Sequence, residues 1–408
     1  MTAAPRVLAA ALTTALTLLA VTGCTRDGDP GPATTSASAP ARVPTAAPAP
    51  GPWGTDVVVS ADCMLGARFA AVQLRAWDPR TWKVKAERVF DLPPEAVFSR
   101  DPGGPETLSP LVDLCRTNPD EAVYPSDALE RVVPRVRALF DRDFTTLAVV
   151  LRTPDGKDSH VGYVRAGDRD GGRADLTARD RTATVGAHEQ NAALSPDGTR
   201  VWFTYQLPSG RDRIGSRAIG GGDPGRRDEG PAVGAALPLV VVDGPPRGVQ
   251  AELLRTAPDG LRTTVVRGSG PGVSVVELPD APTVLAGAAV RGAREVPGCL
   301  HAVGWTGPER LLCRTESGGF RTVGTGPDAA PGPETRPGVR GSEGLLVSPD
   351  GSRFLLSEHP PGDPYDGFRG FRIVGTGAGT GAGTGPGGAV TPLTDPTLTG
   401  NTLFIEWR

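Results

Sequence analysis

Large apolar and polar residues alternate in short bursts along most of this chain, with turn-forming clusters between the bursts. Val201, Phe203 and Tyr205 alternate with Trp202 and Thr204. Both sets carry large groups, so the pattern predicts a strand in a sheet covered on both faces. Further strands are predicted at Val57–Ser60, Ala70–Trp77 and Trp82–Phe90, and a last one at Thr402–Trp407 with no local partner. Helical spacing appears at Leu129, Val132, Val133, Val136 and Leu139, after the capping residues Ser126 and Asp127. Pro134 is expected to kink that helix or end it early.

The turns between bursts repeat. Ser195-Pro196-Asp197-Gly198 and Ser348-Pro349-Asp350-Gly351 each precede a strand, with weaker copies at Thr153-Pro154-Asp155-Gly156 and Ala257-Pro258-Asp259-Gly260. A degenerate copy is Thr306-Gly307-Pro308-Glu309, and Asn118-Pro119-Asp120 stands upstream. Proline presets the first corner of a type I turn, Asp fits the second, and Gly accepts the left-handed position that follows, so each motif joins two strands in a hairpin. The acidic positions 155, 197, 259, 309 and 350 recur at intervals of 42, 62, 50 and 41 residues. A recurrence of this size is the signature of propeller blades. The expected fold is therefore all-β: a single propeller of six or seven four-stranded blades over residues 54–408. The count stays open because 214–300 is irregular. The orphan C-terminal strand is expected to close the ring on the N-terminal strands.

Two blade ends add a family likeness. Val161-Gly162-Tyr163-Val164 leads to Asp175-Leu176-Thr177, and Gly370-Phe371-Arg372-Ile373 leads to Thr391-Pro392-Leu393-Thr394. With the Ser-Pro-Asp-Gly turns, these segments resemble TolB-type β-propeller repeats. The resemblance implies a translocation or envelope role by analogy only, because the matching motifs build blades and name no ligand.

The N-terminus has a different character. A basic start at Arg6, an apolar run from Val7 and the small residues Thr22-Gly23 before Cys24 have the order of a secretory signal. A cysteine directly after the small pair resembles a bacterial lipoprotein signal, which implies a diacylglycerol on Cys24, cleavage before it and attachment to the outer face of the cell membrane. The run from Val7 to Gly23 is 17 residues of mostly Ala, Thr and Leu, short and weakly apolar for a membrane span of about 20. Residues 1–23 are thus read as a signal peptide. Residues 24–53 are read as a lipidated tether of Pro, Ala, Ser and Thr that buries too little surface to order itself.

Composition narrows function chiefly by exclusion. The chain has 43 basic and 46 acidic residues, so no basic footprint for nucleic acid exists. Arginine outnumbers lysine, found only at 83, 85 and 157, and with the abundant Ala, Gly and Pro this suggests a GC-rich, actinobacterial source. Setting Cys24 aside leaves Cys63, Cys115, Cys299 and Cys313, an even number in an oxidising compartment. Sequence distance suggests Cys63–Cys115 and Cys299–Cys313, one of three connectivities. For the second pair, a hairpin centred on Thr306 would set the cysteines opposite each other. Without paired CxxC spacing, and with scattered histidines, no metal or other cofactor is expected.

No serine stands in a Gly-x-Ser-x-Gly elbow. The Asp168–Asp175 run has a calcium-loop flavour, but it lacks the closing Glu and reads as a polar turn. The remaining ligand candidates are Glu358, His359 and Tyr365 in a long loop, and His188-Glu189, whose plainer reading is a solvated loop pair. The reading that emerges is a non-catalytic binding or scaffold protein of the cell envelope, with an envelope protein or polymer as partner. A propeller glycosidase or lyase is the alternative.

Overall fold

The computed structural model describes residues 53–66, 69–99, 109–115, 129–168, 173–177, 188–195, 198–206, 212–219, 237–241, 255–256, 262–266, 272–277, 294–326, 329–336, 342–358, 370–376 and 403–408. All belong to one compact unit, Ala49–Arg408. The signal, Cys24 and the tether before Trp53 lie outside the described residues, as do Asn118-Pro119-Asp120 and Thr391–Thr394.

Strands β1 (Val58–Gly66), β2 (Phe69–Trp77) and β3 (Val84–Asp91) form an antiparallel meander. Helices α1 (Pro110–Leu114) and α2 (Leu129–Arg137) follow. The second sheet holds β4 (Thr146–Arg152), β5 (Ser159–Arg165) and β6 (Arg173–Asp175). The third holds β7 (His188–Leu194), β8 (Arg200–Gln206), β9 (Asp212–Ala218) and β10 (Leu237–Val241). The fourth holds β11 (Arg255–Thr256), β12 (Arg262–Val266), β13 (Val273–Glu277) and β14 (Arg294–Val296). The fifth holds β15 (His301–Gly307), β16 (Arg310–Arg314), β17 (Phe320–Gly324) and β18 (Glu334–Thr335). The sixth holds β19 (Glu343–Val347), β20 (Arg353–Glu358) and β21 (Gly370–Gly375).

The last strand, β22 (Leu403–Trp407), returns to the first sheet and pairs antiparallel with β1. Val58 faces Trp407 and Ser60 faces Phe404 across a bulge. Beyond the ladder, Val57 and Arg408 exchange two backbone bonds of 2.8 and 3.0 Å. The protein is thus all-β in architecture, with propeller-like antiparallel sheets of three or four described strands and the expected partner for its C-terminal strand. The core agrees with the two-sided pattern: β4, Thr-Leu-Ala-Val-Val-Leu-Arg, is buried from Thr146 to Leu151. Of the six tryptophans, Trp53, Trp77, Trp82, Trp305 and Trp407 are buried as packing groups.

Helix α2 lies against edge strands of two of these sheets. It packs against β19 and β22. Its Glu130 accepts from Arg314 at the end of β16, at 3.1 Å, and Arg137 donates to Glu406 of β22. Directly after the helix, Ala138 O accepts from Leu194 of β7 and Leu139 O accepts from Ala148 of β4, both at 2.7 Å. Phe140 then bridges to Leu147. Pro134 lies inside the helix, which runs on to Arg137 and stops short of Leu139. Its missing N–H and ring cost about 3 kcal/mol. Burying Leu129, Val132, Val133 and Val136 returns roughly 1.5–3 kcal/mol each. Packing wins.

The turn chemistry holds, but one repeat is out of phase. At Ser195 the backbone N–H donates to Arg200 O (2.9 Å), Gly198 N donates to Ser195 O (2.8 Å), and Arg200 N donates to Ser195 Oγ (3.0 Å). Ser348 builds the same turn with Gly351 and Arg353 at 2.8–2.9 Å. Thr153 builds it too, with Gly156 and Asp158. That copy, however, lies at the other end of the sheets: Asp158 is 3.8 Å from His188, the first residue of β7, whereas the Ser195 turn follows the last.

The turn matching Ser195 in the second sheet is Asp141–Thr146. Asp141 N donates to Thr146 O (3.1 Å), Phe144 N to Asp141 O (3.3 Å) and Thr146 N to Asp141 Oδ1 (3.1 Å). It lies beside the Ser195 turn, since a Cβ on Gly198 would stand 3.2 Å from that of Asp141. Asp replaces Ser as the capping acceptor, and Phe144 (φ 53°) takes the left-handed place that Gly198 (φ 69°) fills.

Both disulfides form as paired above, each with Cα atoms 5.1 Å apart. Cys63–Cys115 ties the end of α1 to β1. The register behind Cys299–Cys313 differs from expectation. Bulges after Ala302 and Trp305 shift β15 against β16, so Cys313 faces Ala302 and Cys299 stands before the strand.

Candidate functional site

Among the described residues, ionisable groups gather around the first residues of β5 and β7. The alternation of β7 places His188 half-exposed and Glu189 buried. A bulge between Gln190 and Ala193, with Asn191 at φ 52°, offsets the strand just beyond them. Asn191 Nδ2 donates to Thr204 Oγ1 of β8 at 3.0 Å and fixes that bulge.

Glu189 is not the solvated loop residue its sequence context suggests. Its carboxylate accepts from Arg217 Nη2 at 2.6 Å and Nε at 3.2 Å, from Val161 N at 2.8 Å and from the Thr177 hydroxyl. Its backbone carbonyl accepts from Ser159 Oγ at 2.8 Å. Arg217, on β9, is itself fully buried and its guanidinium stands 5.4 Å over the Phe203 ring. One carboxylate therefore ties β5, β7 and β9 together, its charge compensated and its lone pairs satisfied.

The imidazoles beside it are different. His160 of β5 bonds through Nδ1 to Asp175 Oδ2 at 3.0 Å, and Asp175 Oδ1 accepts from Thr177 N at 3.0 Å. That bond to Asp175 holds the His160 pKa above its ordinary value, against the opposing effect of burial. His188 Nδ1 stands 3.8 Å from Asp158 Oδ1. Both rings are half-buried, so each presents one edge to solvent. A third imidazole–carboxylate approach, His301 Nε2 to Glu130 Oε2 at 3.8 Å, lies under α2 beside Arg314.

Such an arrangement offers protonatable donors and acceptors at a rim around a rigid ion pair. The hydroxyls beside it are engaged: Thr177 donates to the Glu189 carboxylate and Ser159 Oγ to the Glu189 carbonyl. Among the described residues no group of three or more His, Cys, Asp or Glu is placed to hold a metal ion. Glu358 ends β20, but its side chain, His359 and Tyr365 lie outside the described residues. Asp175 joins His160 rather than Asp168. His160 and Arg217 carry no mark in the sequence; only Asp175-Leu176-Thr177, quoted above as a blade end, points here. Among the described residues no helix is long and apolar enough to cross a membrane.

No protein-family profile matches the chain, and no curated protein matches it in sequence. Among solved structures it is similar to TolB from Acinetobacter baumannii, at 13% identity and a TM-score of 0.35, over 84% of this chain and 70% of that one. It is also similar to the β-propeller domain of the Trilobed protease from Pyrococcus furiosus, at 13% identity and a TM-score of 0.32, over 63% and 71%. A third likeness, to a prolyl endopeptidase, has 12% identity and a TM-score of 0.39 and covers 82% of this chain; the chain spans 42% of that enzyme.

Proposed function

We propose that this chain is an exported lipoprotein, acylated at Cys24, whose folded part is a single six-bladed propeller with a non-catalytic binding or scaffold role at the outer face of the cell membrane. Its partner is an envelope protein or polymer, in a role analogous to TolB-type translocation. The order of Arg6, the apolar run, Thr22-Gly23 and Cys24 supports the anchor. Two disulfides are compatible with an oxidising compartment.

The observation that carries the scaffold role is the position of α2. Propeller blades surround a central channel. Helix α2 packs against β19 and β22, pinned by Glu130–Arg314 and Arg137–Glu406, and in the proposed ring it would occupy that channel. Val133 and Val136 of this helix are fully buried apolar groups. A partner would then meet the ends of the blades, where His160 and His188 present their edges.

The anchor is tested by intact mass and fractionation of the wild type against Cys24→Ala. Acyl mass on an N-terminal Cys24 and loss of membrane recovery in the variant are expected; unchanged mobility and location would defeat it. For the scaffold role, in-cell cross-linking from His188 is expected to capture one discrete envelope component. Turnover of a polysaccharide or glycoside by the purified chain, abolished by a carboxylate substitution, would defeat it in favour of the enzyme.

A further inference from the structure

Glu189 of the third sheet is held from the second sheet by three donors. Ser159 Oγ donates to its carbonyl at 2.8 Å, Val161 N to its carboxylate at 2.8 Å, and the Thr177 hydroxyl to the same carboxylate oxygen. Ser159 and Val161 are two apart on β5 and share a face, so His160 between them points to the other side of the strand. There it meets Asp175, whose Oδ1 accepts from Thr177 N at 3.0 Å. The short turn from Asp175 to Thr177 thus leads a hydrogen-bonded path past the end of β6. The path runs from a half-exposed imidazole to the buried Glu189–Arg217 pair.

We infer that this path makes the seam between the second and third sheets proton-responsive: a proton taken up by His160 tightens the hold of Thr177 and Val161 on Glu189, and its loss loosens it. The inference needs neither the anchor nor the partner proposed above.

The charges around the path set the direction. Asp175 of β6, Asp158 of the β4–β5 turn and Glu189 of β7 all act on His160. Three carboxylates therefore face the imidazole, and the guanidinium of Arg217 answers one of them, Glu189. His188 of β7 stands beside Asp158 at 3.8 Å. On β4, apolar Leu151 is the cross-strand partner of His160 and Arg152 that of Ser159, while Lys157 is exposed next to Asp158.

When His160 is protonated, its bond to Asp175 becomes charge-assisted, roughly twice as strong as a neutral one. Asp175 is then held where it accepts from Thr177 N, and that turn sets the Thr177 hydroxyl on Glu189. The raised pKa of His160 has the same sign, since the folded chain favours the proton. The tightened form is complete in acid and is given up as pH rises through the raised folded value.

The test follows backbone amides of the full chain by NMR and hydrogen exchange at pH 5.5 and 8.5, corrected for the intrinsic exchange rate. Protection at Thr177 and Val161 is expected to be about fivefold higher at the lower pH. Ser348, whose turn amide donates to Arg353 O in the sixth sheet, should show no such change. The difference should vanish in His160→Gln and remain in His188→Gln. In the wild type, the Thr177 and Val161 amide shifts should titrate with the midpoint of the His160 ring, a readout that needs no variant. A pH effect at Thr177 that does not reach Val161 would overturn the inference. So would equal protection at the two pH values, or a midpoint that follows His188 instead.

Discussion

Glu189 and Arg217 lie 2.6 Å apart with their side chains almost wholly removed from solvent, and they join β7 to β9 across the intervening β8. Arg217 spends both Nε and Nη2 on one carboxylate oxygen, leaving the other for Val161 N and Thr177. Removing either partner strands a buried charge. Glu189→Ala and Arg217→Ala should each destabilise by about 3–5 kcal/mol, while the paired Glu189→Leu/Arg217→Met variant should lose much less. Urea unfolding of the three proteins checks this; equal losses in all three would show that the pair matters as polar bonding rather than as compensated charge.

Glycine positions in the repeated turns should respond unequally. Gly156 and Gly351 share a left-handed φ of 67° and 71°. Around Gly156 nothing lies within 4 Å of a would-be Cβ, so Gly156→Ala should cost only the backbone term, about 1–2 kcal/mol. At Gly351 the Cβ would stand 2.2 Å from Thr306 O, a backbone atom that cannot rotate away. Gly351→Ala should therefore lower the melting temperature markedly more than Gly156→Ala, and similar shifts for the two would contradict this packing.

Phe144 poses the reverse question. Its φ of 53° favours glycine, yet its ring packs at 5.3 Å on Trp53 and 5.8 Å on Phe140, with Arg137 and Arg408 over its face. Phe144→Gly should relieve about 1 kcal/mol of strain and forfeit about 3–5 kcal/mol of packing. Net destabilisation is expected in thermal melts; a stabilised variant would mean that the turn, not the ring, governs this site.

Stability should also carry a signature of His160. Its folded pKa is raised by Asp175, so the folded state binds the proton more tightly than the unfolded chain. The resulting stabilisation is complete below the unfolded value near 6.5 and is lost as pH rises through the raised folded value. The melting-temperature gap between wild type and His160→Gln should be widest near pH 5.5 and narrow by pH 8.5. A gap that widens with pH would reverse the sign and exclude the pair as its cause.

The disulfides differ in the loops they close, with sequence separations of 14 and 52. In the chain-entropy view, losing Cys299–Cys313 should cost about 3 kcal/mol and losing Cys63–Cys115 about 4. Peptide mapping without reductant checks the pairing, and Cys→Ala double variants check the order of the losses.

The sequence by itself determined the local devices: two-sided strands, hydroxyl-anchored turns with glycine in the left-handed place, an even set of cysteines and an orphan C-terminal strand. These rest on interactions within a few residues, so local pattern expresses them directly. Tertiary structure alone decided the rest. Whether Thr153–Gly156 or Asp141–Thr146 is the counterpart of the Ser195 turn depends on which end of β7 each one meets. Phe144 could replace glycine only because Trp53 and Arg408, from distant segments, complete the enclosure of its ring. Pro134 could stay helical because β19 and β22 cover the helix around it. Glu189 reads as a surface residue beside His188 until Arg217 arrives from two strands away. In each case the free energy that decides comes from groups far apart in the chain, and no short window of sequence contains both partners.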